Sequence, residues 1–167
     1  MTDSSPPHPL RLDQQLDPRV VTLWRLQRLM SLVLFGVPVA IAVVVGVRMV
    51  APTWLAVLAG VVVVLWRLVM ALGWPALQYH HFRYSVREHD LLVQSGVLFR
   101  RWSSVPFSRI QHVDTQQGPL ERYLGLARLA VFTAAGIHAD SSIPGLSWED
   151  AERLRDELSR RGGDDGV

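Results

Sequence analysis

The 167-residue sequence contains no cysteine and no lysine. Without cysteine there are no disulfides, thiol nucleophiles or thiolate metal centres. Without lysine there is no Schiff-base chemistry and no phosphate loop ending in Gly-Lys-Ser/Thr. All seventeen basic residues are arginine, a bias that genomic base composition accounts for. The net charge is only +2, so the high pI of 9.7 gives no ground for a nucleic-acid partner. The basic excess is better explained by arginines that flank apolar segments and face anionic lipid. Recognisable catalytic patterns are missing as well. His8, His80, His81, His89, His112 and His138 form no His-Glu-x-x-His motif and no spaced His/Asp cluster. His80-His81, read on a strand, point to opposite faces and do not jointly bind one metal. Ser103-Ser104 and Ser141-Ser142 lack a nucleophile-elbow context, and Gly125, Gly136 and Gly145 read as turn residues. No catalytic residue, metal site or cofactor is expected.

What the sequence does have is two long uncharged runs. Residues 29–47 lie between Arg28 and Arg48, and residues 49–66 lie between Arg48 and Arg67. A helix of a soluble protein carries polar positions on its outer face, and these runs carry almost none. A bilayer core of roughly 30 Å takes about 20 apolar helical residues. The first run fits directly, and its twelve Leu, Ile, Val and Phe residues contribute roughly 4–7 kcal/mol in favour of insertion. The second span is framed from Trp54 to Trp74, with an indole at each interface. Arg67 then falls inside it, about two turns from its end, where its side chain can snorkel to the head groups. Pro38 removes one backbone bond in mid-span and predicts a kink.

The connection 48–53 is short, so the helices form a hairpin. Arg11, Arg19, Arg25 and Arg28 precede the first helix, Arg67, Arg83 and Arg87 lie at or beyond the end of the second, and Arg48 alone sits in the loop. The positive-inside rule then puts both termini of a multi-pass membrane protein in the cytoplasm. Roughly 28 polar or mixed residues precede the first apolar run, which argues against a cleaved signal peptide. The domain reading is a disordered Pro- and Ser-rich N-terminus over 1–22, a hairpin over 23–76, a compact domain over 78–161 and a frayed tail over 162–167.

From Tyr79 the hydrophobic period changes to two. Phe82, Tyr84 and Val86 alternate with Arg83, Ser85 and Arg87 in a half-buried strand. A turn at 88–90 leads to a second strand over Leu91, Val93, Ser95 and Val97, with Gly96 as a bend or bulge. Further strands are expected over 101–107, 110–117, 127–134 and 137–143, with one helical turn over 120–124. Ser147, three residues before Asp150, then caps an amphipathic helix whose stripe is Trp148, Ala151, Leu154 and Leu158. The sum is a small antiparallel barrel or sandwich capped by a C-terminal helix.

The ordered pieces Leu91–Val97, Val105-Pro106-Phe107-Ser108-Arg109-Ile110-Gln111, Gly118-Pro119-Leu120, Leu124-Gly125-Leu126 and Pro144-Gly145-Leu146 make the chain similar to the bacterial pleckstrin-homology-like (PH-like) membrane proteins, the YdbS-like group. The resemblance covers about residues 78–161 and the preceding helix pair. It implies two near-orthogonal sheets capped by a C-terminal helix, and it carries no catalytic residues to transfer.

The candidate lipid- or partner-binding residues are Arg83, Arg87, Arg100, Arg101, Trp102 and Arg109, with Asp114 and Glu121 as competing partners for Arg109. Trp24, Arg25, Arg28, Trp54, Arg67 and Trp74 are candidates for the membrane interface. The turn 88–90 is acidic, which argues against a phosphoinositide site in the first strand–strand loop. Leu120, Tyr123, Leu124 and Leu126 are either core or an exposed apolar groove. The expected function is that of a non-enzymatic binding or scaffold module acting through a protein partner, such as a larger paralogue or another copy of itself. The alternative is an anionic-lipid module. A transporter or channel component ranks below both, because two helices enclose no substrate path without oligomerising.

Overall fold

A computed structural model of the chain describes residues 14–133 and 141–164. The expected strand start and turn over 134–140, His8, Arg11 and His138 lie outside the described residues. The chain forms two compact units, one over Val21–Tyr79 and the other from the chain on either side of it.

The first unit is the hairpin. Helix α1 (Arg19–Ser31) runs through a π-helical turn (Leu32–Gly36) into α2 (Val37–Arg48), and α3 spans Thr53–His81. The runs Arg19–Arg48 and Thr53–His81 are each long and apolar enough to cross a membrane. Pro38 explains the π turn. Its ring cannot donate and collides with the carbonyl four residues back, and widening the preceding turn by one residue relieves that conflict. The Val37 N–H accordingly donates to the Leu32 carbonyl, five residues back. The connection is as short as its sequence predicts: Val50 and Ala51 donate to the Val47 carbonyl, and Pro52 opens α3. The helices approach closely at Gly60, where an added Cβ would lie 2.5 Å from Val44 Cγ2 and 3.6 Å from the Ala40 carbonyl oxygen. Most large apolar side chains of the unit point outward, including Val33, Leu34, Phe35, Ile41, Val62 and Val69. That arrangement is unfavourable in water and is what lipid requires.

Helix α3 corrects one expectation. It continues past Trp74 and through a buried Pro75 to His81, so Tyr79, His80 and His81 form its last turn rather than the start of a strand.

The second unit is a sandwich of two three-stranded antiparallel sheets. Strands β1 (Arg83–Val86), β2 (Asp90–Ser95) and β3 (Arg101–Pro106) make one sheet in the order β1-β2-β3. Strands β4 (Ile110–Gln116), β5 (Leu126–Thr133) and β6 (Ser141–Ser147) make the other in the order β4-β5-β6. The sheets are separate, so the fold is a sandwich rather than a closed barrel. A 3-10 turn (Phe107–Arg109) links them, and a short helix α4 (Pro119–Tyr123) joins β4 to β5. In register, Tyr84 faces Val93, Leu91 faces Val105 and Val113 faces Val131. Leu91, Phe107, Leu126, Leu129, Val131 and Ile143 are essentially without exposure and form the core. Helix α5 (Trp148–Asp164) adds Ala151, Leu154 and Leu158 to it, while Trp148 stays 40% exposed. The expected cap is present: the Asp150 N–H donates to Ser147 Oγ at 3.1 Å, and the Ser147 hydroxyl donates to Asp150 Oδ2 at 2.6 Å.

Pro144-Gly145 does not close β6, as expected from its turn chemistry, but lies within it. The register shifts between Ala127 and Leu129, with Gly145 at φ +66°. That bulge receives the N-terminal segment. The Asp17 N–H donates to the Gly145 carbonyl at 3.0 Å, and Gln14 and Tyr84 exchange backbone hydrogen bonds at the edge of β1. Leu16 and Val20 are buried. The expectation of disorder through residue 22 is thus corrected from Gln14 onward. A polar, Pro-flanked segment gains order here by adding backbone bonds and two apolar side chains to a preformed sheet edge.

Candidate functional site

The β2–β3 connection is the most exposed apolar feature of the sandwich. Strand β2 ends at Ser95, not at Val97, because Gly96 adopts φ +104°. A Cβ there would fall 1.9 Å from the Phe99 carbonyl oxygen, so the tight turn requires glycine. The turn raises Leu98 (72% exposed) and Phe99 (87% exposed) at its tip. Arg100, Arg101 and the 46%-exposed Trp102 follow directly. No acidic residue occurs between Asp90 and Asp114, whereas Arg100, Arg101 and Arg109 do. Strand β3 ends the β1-β2-β3 order and is an edge strand. The structure therefore brings Arg100, Arg101 and Trp102 together beside an edge unpaired among the described residues and adds Leu98 and Phe99, which sequence reasoning missed. The signal available for them was an apolar pair between the expected end of the second strand at Val97 and the arginines at 100 and 101.

The other sandwich candidates lie apart. Arg83 is half-buried on β1, with a buried Nη1 that has no hydrogen-bond partner among the described residues. Arg87 follows β1, faces Asp90 at 3.8 Å, and its carbonyl accepts from Arg161 Nη1 at 2.8 Å. Arg161 also stacks over the Phe107 ring at 5.4 Å, which ties the end of α5 to the inter-sheet turn. Arg109 is exposed at the end of the 3-10 turn. Its two expected carboxylate partners are otherwise engaged. Asp114 meets His112 Nε2 at 2.8 Å, while buried Glu121 accepts the Gly118 N–H at 2.6 Å and faces Arg128 at 3.5 Å. Of the residues offered as core or groove, Leu126 is buried, Leu120 and Leu124 are half-buried, and Tyr123 is 85% exposed.

A groove of about 550 Å³ runs between the N-terminal segment, β1 and α5, lined by Gln14, Gln15, Tyr84, Asp150, Arg153 and Glu157 among others. Arg153 and Asp150 form an ion pair at 2.6 Å within it. Burial, with a smaller contribution from Asp150, pushes the Tyr84 hydroxyl up to about 12, so the groove presents a neutral phenol at physiological pH. No sequence signal marks this groove, since Gln14 and Gln15 come to it from the polar N-terminal segment. Among the described residues, no three His, Asp or Glu side chains converge to hold a metal ion.

In the hairpin, Arg25 Nε donates to the Leu72 carbonyl at 3.1 Å, one turn before the helix-opening Pro75. Trp24 is buried, Trp54 is exposed and Trp74 is half-buried. Arg28 and Arg67 both line one cavity of about 170 Å³, together with Ser31, Leu32, Trp66, Met70 and Ala71.

Two apolar helices able to cross a membrane, followed by a six-stranded sandwich with a C-terminal helix, define a PH-like membrane protein. The chain belongs to the bacterial PH domain family, whose model matches residues 29–162 and so takes in α2 and α3 as well as the sandwich. It is 38% identical to the UPF0699 transmembrane protein YdbS of Bacillus subtilis (strain 168) over 147 residues, which cover 87% of this chain and 90% of that protein. It is 22% identical to the UPF0699 transmembrane protein YdbT of the same organism over 86 residues, 51% of this chain but 17% of that protein. No solved structure matches.

Proposed function

We propose that the chain is a non-enzymatic, membrane-anchored binding module that engages a protein partner through the β2–β3 tip and the β3 edge. The observation that carries this reading is the pairing of an exposed Leu98-Phe99 tip with an edge strand. An edge strand offers backbone donors and acceptors that another polypeptide satisfies and lipid does not. The arginines beside it favour an acidic partner surface. A second PH-like chain fits best, because one organism holds both a near full-length relative and a protein of which only 17% aligns with this chain. The arginine distribution supports a reading in which both termini and the sandwich lie in the cytoplasm. The test is co-purification of the full chain in mild detergent, comparing the wild type with a Leu98→Ser/Phe99→Ser variant. Loss of a stoichiometric partner in the variant supports the reading, and a solitary monomer in the wild type refutes it.

A second reading, an anionic-lipid contact, rests on the absence of acidic residues around Arg100 and Arg101. Under it, liposome recruitment of the β2–β3 tip weakens with salt and with Arg→Ala changes. Salt-insensitive recruitment counts against it.

A further inference from the structure

The sequence holds no aspartate or glutamate between Asp17 and Glu88. The entire hairpin unit, Val21–Tyr79, therefore lacks a carboxylate, yet it contains Arg25, Arg28, Arg48 and Arg67. Arg25 is satisfied by the Leu72 carbonyl. Arg48 sits at the connection end of the hairpin, away from the lining of the cavity that Arg28 and Arg67 share. Arg28 and Arg67 differ from both, since they approach the same cavity of about 170 Å³ from different helices. Among the described residues neither side chain has an ion pair or a hydrogen-bond partner.

Two guanidinium groups converging without a counter-ion repel each other, and the low-dielectric surroundings of a membrane helix pair strengthen that repulsion. Snorkelling relieves one arginine at the end of a span but does not explain two that line a common cavity. The cavity has further polar chemistry, because Ser31 adds a hydroxyl and Trp66, 60% exposed, flanks it with an indole suited to the head-group region. The π turn brings glycine to this level. A Cβ on Gly36 would lie 3.6 Å from Arg67 Nε and 2.7 Å from Leu32 Cδ1, so a larger residue would crowd the guanidinium.

We infer that Arg28, Arg67 and Ser31 form a binding site for the phosphate of an anionic phospholipid. The site lies where Arg28 precedes the first uncharged run and Arg67 follows the second, the end of both runs opposite the connection. A planar guanidinium donates two parallel hydrogen bonds to phosphate oxygens, and a single anionic group between two such forks removes their repulsion. The acyl chains of the same lipid run along the outward-facing Leu, Val and Phe side chains of the π turn and α3. Basic pockets between membrane helices are suited to such head groups. This inference is independent of the β2–β3 tip and stands whichever partner the tip binds.

The test is native mass spectrometry of the delipidated full chain in uncharged detergent, with equimolar phosphatidylglycerol and phosphatidylcholine. Each arginine should favour the anionic lipid about fivefold, the factor implied by ~1 kcal/mol per basic residue. The preference should fall by that factor in Arg28→Gln and in Arg67→Gln, and persist in Arg48→Gln, which leaves the cavity intact. Arg67→Lys, which keeps the charge but loses the fork, should fall between. Helicity by circular dichroism confirms that each variant is folded. Equal occupancy by the two lipids, or a preference unchanged in Arg67→Gln, overturns the site. Displacement of phosphatidylglycerol by millimolar inorganic phosphate, with a phosphate adduct in its place, overturns the lipid assignment in favour of a free anion.

Discussion

Substituting Gly145 by alanine tests how firmly the N-terminal segment belongs to the sandwich. Gly145 sits at φ +66°, where an L-residue costs about 1–2 kcal/mol. The added methyl would lie 2.2 Å from Val20 Cγ2 and 2.5 Å from Val20 Cβ, far inside the ~3.5–4.0 Å of ordinary carbon contact. Val20 cannot swing away. It is β-branched, lies in α1 and has no exposure. Relief therefore requires the backbone around it to retreat, an overpacking term of about 1–3 kcal/mol. The retreat also strains the hydrogen bond from the Asp17 N–H to the Gly145 carbonyl, a further ~0.5–1.5 kcal/mol. The sum is about 2.5–6.5 kcal/mol. For a domain of this size 1 kcal/mol lowers the melting temperature by about 4–8 °C, so the loss is at least about 10 °C. The assay is thermal unfolding of the full chain in detergent, followed by near-ultraviolet circular dichroism. A shift under about 3 °C would refute the reasoning and remove residues 14–20 from the folded sandwich.

Three further outcomes follow from particular contacts. Gly60→Val should weaken the packing of the two apolar runs by about 1–3 kcal/mol, because its side chain meets Val44 and the Ala40 carbonyl; cysteine cross-linking between α2 and α3 in membranes should become slower. Tyr84 ionises near 10 when unfolded and near 12 when folded, so burial of its neutral form favours the fold below pH 10 and that contribution disappears as pH rises to 12. Urea midpoints of the wild type should therefore drop between pH 9.5 and 11.5 more steeply than those of Tyr84→Phe. Gly96→Ala puts a methyl into the Phe99 carbonyl and should abolish capture of the partner while Leu98, Phe99 and the arginines are all retained; capture at wild-type level would separate binding from the shape of the turn.

The hairpin was legible because lipid leaves a one-dimensional signature: runs without charge, bounded by arginine. The cap at Ser147 and Asp150 and the buried stripe Ala151, Leu154 and Leu158 were legible for a similar reason, since both depend on spacing along one helix. The end of α3 was not. The alternation of Phe82, Tyr84 and Val86 extends the strand expectation back to Tyr79, yet a helix already 26 residues long by Gln78 continues at little cost, and it stops only where Arg83 begins pairing with Gln94. Pro144-Gly145 was read as a terminator because Pro-Gly is a turn signal. Its actual role, a bulge that admits Val20, depends on a residue more than a hundred positions away. The same distance hid the ordering of Gln14–Val20. Of the candidate site, Arg100, Arg101 and Trp102 could be named from the sequence as a cationic and aromatic run. That Leu98 and Phe99 stand exposed beside them follows from the positive φ of Gly96, which a sequence allows but does not dictate. Arg28 and Arg67 were visible singly as interface residues, and their convergence on one cavity needed the antiparallel packing of the hairpin.

The central claim is that the β2–β3 tip is a protein-binding surface at the membrane. It is tested most directly by placing a photo-cross-linking amino acid at position 99 of the full chain in native membranes, with position 123, equally exposed on α4, as the control. The account predicts a discrete protein adduct from position 99, competed by excess wild-type chain, and none from position 123. Lipid adducts alone from position 99, or the same protein adduct from both positions, would contradict it.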